Sequence, residues 1–365
     1  MRRDTMWLVP AALCALGAIG CVIGGIIDPS AFLRAWLASY LFWLGVPLAG
    51  VTLVLVHDLS GGNWMGTARA AVDAAIATMP LASLAGIPAF VGLNSLYGWT
   101  HPPPSLGNLF YLNSTGFFIR YGAYVIVWNC LAAFALWGPR EGKLPISPSL
   151  SWISGLGLIA LAFSASFGAI DWILSLEPTF WSSVFPYTQA ASWFNTGMAV
   201  VVLTVTLIGW PSIERREHMI DLAQILLATT IFWAYVEFMQ FLIIWEENLK
   251  TEIPWYLKRL DSAWQPAIYV SAGLGFIIPF FTLLWAPSKR KRAVVGTVCG
   301  LILISRIAHT WLLVMPEFNE PTPFWLDVAA VLALGGLIVL VFGWALLHPR
   351  RYMPAARPVW TADHG

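Results

Sequence analysis

Apolar and polar positions follow one another along this chain in long blocks, with runs of about 20 apolar residues separated by short polar segments. A run of this length is what an α-helix needs to cross the hydrocarbon core of a bilayer. We place ten such runs at residues 7–27, 32–57, 70–92, 114–137, 149–170, 187–210, 219–245, 263–286, 293–315 and 325–347.

The composition strengthens this interpretation. Of 365 residues, 58% are hydrophobic and only 11% are charged, whereas about one quarter of the residues of a soluble domain are charged. Backbone groups that face lipid must be satisfied within their own segment, which favours helices. The sequence therefore predicts an all-α polytopic membrane protein with about ten transmembrane helices, and nothing in it indicates a nucleic-acid partner.

The basic residues predict the orientation, because cytoplasmic loops of membrane proteins are enriched in Lys and Arg. With the N-terminus inside, only Lys250, Lys258 and Arg259 fall in loops on the opposite side. The cytoplasmic set is Arg2, Arg3, Arg69, Arg140, Lys143, Arg215, Arg216, Lys289, Arg290, Lys291, Arg292, Arg350, Arg351 and Arg357. Both termini are thus expected in the cytoplasm, with residues 349–365 as a tail and the first apolar run as an anchor.

The order of the spans suggests an internal repeat. Spans two to five and spans six to nine resemble two copies of a four-helix unit, and an offset of four helices preserves orientation. We expect one membrane domain over residues 1–348. It contains a four-helix bundle within 28–170, a second within 171–315, and peripheral helices at 7–27 and 325–347.

One acidic residue lies deep within a predicted span, in the stretch FWAYVEFMQFLIIWEEN at residues 232–248. Placing the Glu237 carboxylate in the middle of a bilayer costs roughly 2.5–3.5 kcal/mol on insertion scales. Arg306 lies at a similar depth in the ninth span and shares a helix face with His309, three residues later. We predict that Arg306 is the counter-charge of Glu237; the alternative is a purely structural ion pair.

Other titratable residues form two groups by depth, and chains of Asp, Glu and His are typical of proton relays in membranes. Toward the outer side, Asp171 and Asp327 extend the group of Glu237, Arg306 and His309. On the cytoplasmic side we expect His57, Asp58, Asp73 and Asp221 to collect protons. The alternatives are that His57 and Asp58 are solvated interfacial residues, and that Asp73 and Asp221 cap their helices.

The cysteines and histidines indicate no metal centre in this chain. All four cysteines fall inside apolar runs and form no C-x-x-C motif, so cluster ligation and a disulfide framework are not expected. His57 and His309 lie at different depths and could not share a haem iron. We therefore expect no cofactor held covalently or by metal ligation.

Three stretches carry a resemblance to a known family: LFWLGVPLAGVTLVLVHDLSGGNW at 41–64, SLEPTFWSSVFPY at 175–187 and FWAYVEFMQFLIIWEENLKTEIPWY at 232–256. They resemble the NrfD/PsrC-type membrane subunits of alternative complex III, in particular the smaller ten-helix type, ActF. The resemblance covers roughly residues 35–315. It departs from the family at His57-Asp58, where many members have paired histidines, so a quinone contact there is left open.

The resemblance implies a membrane subunit of a quinol:cytochrome c-type oxidoreductase in the bacterial inner membrane. It implies a larger homologous membrane subunit, an iron–sulfur/molybdopterin-like subunit and haem c subunits as partners, with the clear quinol site in the larger one. Two alternatives remain, namely a secondary transporter with charges at mid-membrane, and a structural scaffold. A stable complex with haem and iron–sulfur signals would exclude the transporter.

Overall fold

The computed structural model describes residues 5–62, 64–101, 110–138, 148–208 and 214–348. Its described elements are helices, and ten of its helical segments are long and apolar enough to cross a membrane. The prediction of a polytopic all-α membrane protein is confirmed. The predicted tail at 349–365 lies outside the described residues, as do Arg2, Arg3, Arg140 and Lys143.

The helices follow the predicted runs closely. In chain order they are α1 Thr5–Ile27, α2 Pro29–Ser60, α3 Arg69–Ile76, α4 Met79–Ala85, α5 Ile87–Val91, α6 Leu93–Leu96, α7 Ser114–Trp137, α8 Pro148–Trp172, α9 Phe185–Ile208, α10 Glu214–Glu247, α11 Ile253–Leu260, α12 Gln265–Ala272, α13 Ile278–Leu284, α14 Ala286–Lys289, α15 Arg292–Val314 and α16 Phe324–Leu347.

Local sequence signals set the ends of several spans. The Asp28 side chain accepts a hydrogen bond from the Ala31 backbone N–H at 2.9 Å, and Pro29 occupies the first turn of α2, where its missing N–H costs nothing. Gly61 ends α2 with a positive φ of 66°, and its N–H bonds to the His57 carbonyl. Asn113 caps α7 in the same way as Asp28 caps α2.

The third span is broken, although its sequence forms one apolar run. The chain forms four short helices, α3 to α6, between residues 69 and 96. Pro80 and Pro88 each lie in the first turn of a new segment, because proline lacks the N–H that would continue the preceding helix. The Trp36 indole donates to the Ala85 carbonyl at 2.7 Å, at the end of α4, and so holds one break against α2.

The eighth span contains a π-helical turn at Gly273–Ile277, between α12 and α13. Such turns insert one extra residue into the helix and frequently occur at functional sites. This turn contacts α15, and α12 and α13 also pack on that helix. The irregular part of the span therefore faces the helix that carries Arg306 and His309.

The spans pack in two groups of helices, which we call the first and the second bundle. α2 packs with α3, α4, α7 and α8, while α9, α10, α15 and the α12–α13 span pack together as a second group. The end helices α1 and α16 form a close pair that lies against α2 and α3 of the first bundle. The two bundles meet mainly where α2 lies along α9.

The α2–α9 contact depends on small residues. A Cβ at Gly197 would lie 2.7 Å from the Gly45 carbonyl oxygen and would overlap the Ala49 side chain. Because small residues allow close approach of helix backbones, we expect Gly197→Ala to lose about 1–3 kcal/mol of stability through overpacking. Thermal unfolding in detergent measures this.

The matched control is Gly300→Ala on α15, where an added Cβ meets no heavy atom within 4 Å. That substitution should be neutral or slightly stabilising, because alanine favours a helix more than glycine does. Equal melting temperatures for the two variants would show that the α2–α9 contact tolerates wider spacing.

Candidate functional site in the second bundle

The second bundle brings together three of the residues singled out in the sequence. Glu237 lies on α10, whereas Arg306 and His309 lie three residues apart on α15. Arg306 is fully buried and His309 is 2% exposed, so both face the interior of the bundle. Side-chain exposure is 28% for Glu237, which places its carboxylate at the edge of the same cluster.

The side chain that Glu237 contacts directly is His309. The Glu237 Oε1 lies 3.4 Å from Nε2 of His309, within ion-pair distance, although the pair does not have the geometry of a hydrogen bond. No ion pair joins Glu237 to Arg306, although both residues are described. The two charges nevertheless attract each other across the cluster, so the role of Arg306 as a counter-charge stays a prediction, while the imidazole one turn further on makes the direct contact.

Arg306 is instead held by an aromatic ring and a glycine. Its guanidinium carbon lies 3.3 Å from the centre of the Trp233 ring on α10, in cation–π geometry. One Nη2 hydrogen bond reaches Ser305 Oγ at 3.1 Å. Gly275, in the π-helical turn, lies so close to Nη2 that a Cβ there would overlap it. Glycine at this position thus makes the space that the guanidinium occupies.

Many polar atoms of the cluster are buried without a hydrogen-bond partner among the described residues. They are Arg306 Nε and Nη1, Glu237 Oε2, His309 Nδ1 and Nε2, Trp233 Nε1, Gln240 Oε1 and Ser271 Oγ. Native proteins leave few such atoms unsatisfied, since each costs about 1–3 kcal/mol. A concentration of this kind is typical of a site that exchanges protons or binds polar molecules.

The cluster continues toward the end of α10 through Gln240 and Tyr256. Gln240 is 1% exposed, and its Nε2 lies 3.3 Å from the Tyr256 hydroxyl of α11. Burial raises the pKa of Tyr256 well above its ordinary value, and the nearby Glu237 charge acts in the same direction. The phenol therefore stays protonated and is available as a hydrogen-bond donor.

Asp171 lies in the first bundle, apart from this cluster. Its carboxylate accepts hydrogen bonds from Arg120 Nε at 2.9 Å, Arg120 Nη2 at 2.9 Å and the Tyr124 hydroxyl at 2.7 Å. Arg120 also lies over the Tyr111 ring. With three donors to a 1% exposed carboxylate, this arrangement ties α7 to α8.

Asp327 lies on the first turn of α16. It is 4% exposed, and neither carboxylate oxygen has a hydrogen-bond partner among the described residues. Arg34 of α2 lies nearby and pairs with Glu320 at 3.5 Å. Asp171 and Asp327 therefore remain candidates for the proton path, but no described hydrogen bond or ion pair connects either of them to His309.

The four inner candidates lie on α2, α3 and α10. His57 Nε2 lies 3.0 Å from the Gly62 carbonyl, and Asp58 accepts a hydrogen bond from Ser154 Oγ at 3.0 Å. Asp73 accepts two 2.9 Å hydrogen bonds from Arg69 Nε, one turn earlier on α3. Asp221 is half-buried on the second turn of α10.

Neither Asp73 nor Asp221 lies in the first turn of its helix, so the interpretation of these residues as helix caps is wrong. α10 begins at Glu214, before the predicted run at 219–245, and so places Asp221 in its second turn, while Asp73 follows the first turn of α3, which begins at Arg69. Asp73 is a partner in an i,i+4 ion pair instead.

The structure also shows participants that the sequence did not single out. Trp233 stacks on Arg306, and its indole plane stands at 87° to the His309 ring. A second buried ion pair joins Arg259 Nη2 of α11 to Glu317 Oε1 at 2.7 Å. The i,i+4 spacing of Trp233 and Glu237 was a sequence signal that could have indicated Trp233 as part of the cluster. No local pattern links Arg259 to Glu317, because 57 residues separate them.

Within the described ranges, no group of three or more His, Cys, Asp or Glu side chains could hold a metal ion. No protein-family model matches the chain, and a search of curated proteins also finds no match.

Proposed function

We propose that this chain is a membrane subunit of a quinol-oxidising electron-transfer complex of the bacterial inner membrane, and that it transfers protons through its second bundle. The ten membrane-spanning helices and the resemblance of residues 41–64, 175–187 and 232–256 support the assignment to such a complex. The redox cofactors belong to the partners: a larger related membrane subunit, an iron–sulfur/molybdopterin-like subunit and haem c subunits.

The contact between Glu237 and His309 is the observation that carries the proton-transfer proposal. A carboxylate and an imidazole 3.4 Å apart inside a membrane protein can pass one proton between them. A proton that leaves Glu237 Oε1 for His309 Nε2 produces a carboxylate beside an imidazolium, and the return step restores two neutral groups.

Arg306 has a positioning role in this scheme. Its buried guanidinium attracts the Glu237 carboxylate electrostatically without forming an ion pair with it. Trp233 holds the guanidinium on one side, and Gly275 leaves room for it on the other.

The inner residues His57, Asp58, Asp73 and Asp221 would supply protons from the cytoplasmic side. They lie on α2, α3 and α10, and no chain of direct hydrogen bonds among the described residues links them to Glu237. Such a gap prevents leakage at rest, so we propose that transfer across it is coupled to the redox reaction of the partner subunits.

The breaks in the spans weigh against the secondary-transporter alternative. Transporters built from repeats tend to have interrupted helices at corresponding positions of the two halves. The break in α3–α6 falls on the second span of the first bundle, whereas the π-helical turn falls on the third span of the second bundle. The counterpart of α3–α6 is α10, which is continuous over Glu214–Glu247.

Affinity purification of the tagged full chain from its native membranes tests the assignment. We expect subunits with haem c absorption and iron–sulfur paramagnetic signals to co-purify, and quinol-oxidation activity to follow them. The chain stripped of these partners should show neither haem absorption nor quinol oxidation. Recovery of the chain alone from intact membranes, with no redox-active partner, would refute the proposal.

A further inference from the structure

A narrow cavity of about 200 Å³ lies where the two bundles meet. α2, α8 and α9 form its walls, and Phe232 of α10 reaches it from the second bundle. The α9 lining extends from Tyr187 to Phe194, about 10 Å at 1.5 Å per residue. Ala162 and Phe232 are exposed at its mouth, so the cavity opens at the surface of the chain.

The position of the cavity along the spans places it in the hydrocarbon layer. Leu48 lies close to the middle of α2, Leu161 close to the middle of α8, and Phe194 close to the middle of α9. The surface of a spanning segment at this depth meets lipid tails and no water. An opening there is accessible to hydrocarbon chains.

The polar groups of the lining are already satisfied. Thr52 Oγ1 donates to the Leu48 carbonyl at 2.8 Å, and Trp193 Nε1 donates to the Leu41 carbonyl at 2.6 Å. The remaining polar side chain, Tyr187, is 62% exposed and lies in the first turn of α9. The polar ring of a quinone would therefore find no free hydrogen-bonding groups in this cavity to hold it in place.

We propose that this cavity binds one acyl chain of a membrane phospholipid, which packs between the two bundles beside the α2–α9 contact. The head group would lie at the Tyr187 end, because tyrosine is favoured where a membrane surface meets water. Small side chains in the lining leave space for the acyl chain, namely those of Ala162, Ala165, Ala190 and Ala191. This binding site is independent of the proton-transfer proposal.

Photo-crosslinking tests the site on the assembly as purified from membranes. The assembly is placed in phospholipid nanodiscs in which one lipid carries a diazirine in the middle of an acyl chain. Mass spectrometry after illumination should find the label concentrated several-fold on peptides that contain Leu158–Ala165 and 190–194, relative to other lipid-facing helices such as α1. An even distribution over the lipid-facing surface would overturn the proposal.

A second probe distinguishes the acyl chain from the tail of a quinone. An isoprenoid quinone analogue with a diazirine on its tail should label these peptides less than the phospholipid does at the same membrane concentration. Stronger labelling by the isoprenoid probe would also overturn the proposal, since the cavity would then be a quinone-tail site.

Two substitutions fill the cavity from different helices. Ala162→Phe on α8 and Ala190→Leu on α9 should each abolish the concentrated labelling and remove one retained phospholipid in native mass spectrometry. The control is Ala160→Phe, an exposed position on the opposite side of α8 with the same change in size. Should Ala162→Phe fail to fold, Ala190→Leu decides, and retention of the lipid by a folded variant contradicts the proposal.

Discussion

Replacement of Glu237 by glutamine is expected to leave the assembly intact and to slow proton transfer through the second bundle by about 100-fold, the usual scale for the loss of a positioned proton-transfer group. Glutamine preserves the shape of the side chain but cannot exchange a proton with His309, 3.4 Å away. The measurement is proton uptake or release during quinol oxidation, followed with a pH-sensitive dye trapped in reconstituted vesicles.

Glu246→Gln is the matched control. Glu246 lies on the same helix, nine residues later, but it is exposed, and its substitution should leave turnover and proton movement unchanged. Glu237→Asp should restore part of the transfer, because it returns an ionisable group to the site. Loss of assembly in Glu237→Gln would show that the contact with His309 is structural, and unchanged proton movement would remove Glu237 from any essential path.

Replacement of Glu317 by glutamine is expected to cost about 3–5 kcal/mol of stability, because it leaves a buried cation without its counter-charge. Arg259 and Glu317 have side-chain exposures of only 3% and 2%, and their ion pair is 2.7 Å long. Burial lowers the pKa of the Arg259 guanidinium, and the adjacent Glu317 carboxylate opposes this effect. Thermal unfolding in detergent, followed by circular dichroism, measures the loss.

The same substitution should loosen α11 from the outer surface of the second bundle. Arg259 donates to the Leu313 carbonyl, and Lys258 also pairs with Glu317, so this one carboxylate joins α11 to the end of α15. Protease sensitivity of residues 249–262 should therefore rise in Glu317→Gln. The control is Glu320→Gln, a neighbouring acid that is 77% exposed and should lose at most about 1 kcal/mol. Equal stability of the two variants would contradict a stabilising role for the buried pair.

The candidate site shows where sequence reasoning succeeds and where it stops. Glu237, Arg306 and His309 stood out because a charge inside an apolar run is expensive, whatever the fold. Their spacing along each helix also predicted which residues share a face. The side chain that contacts Glu237 directly could not be predicted, because the choice between Arg306 and His309 depends on how far α15 is shifted along α10. That offset is set by the packing of the two helices and not by the sequence of either one.

The sequence by itself determined the class of protein and the approximate bounds of its spans. The length and apolarity of each run are local properties, and the thickness of the bilayer's hydrocarbon core requires them of any helix that crosses it. It could not determine that the third span is broken into the four helices α3 to α6, or that a π-helical turn faces Arg306. Nor could it determine that Trp233 and Gly275 lie against the Arg306 guanidinium. Nor could it bring Arg259 to Glu317 or Arg120 to Asp171. Those contacts join residues far apart in the chain, and only the packing of one helix against another brings them within hydrogen-bonding distance.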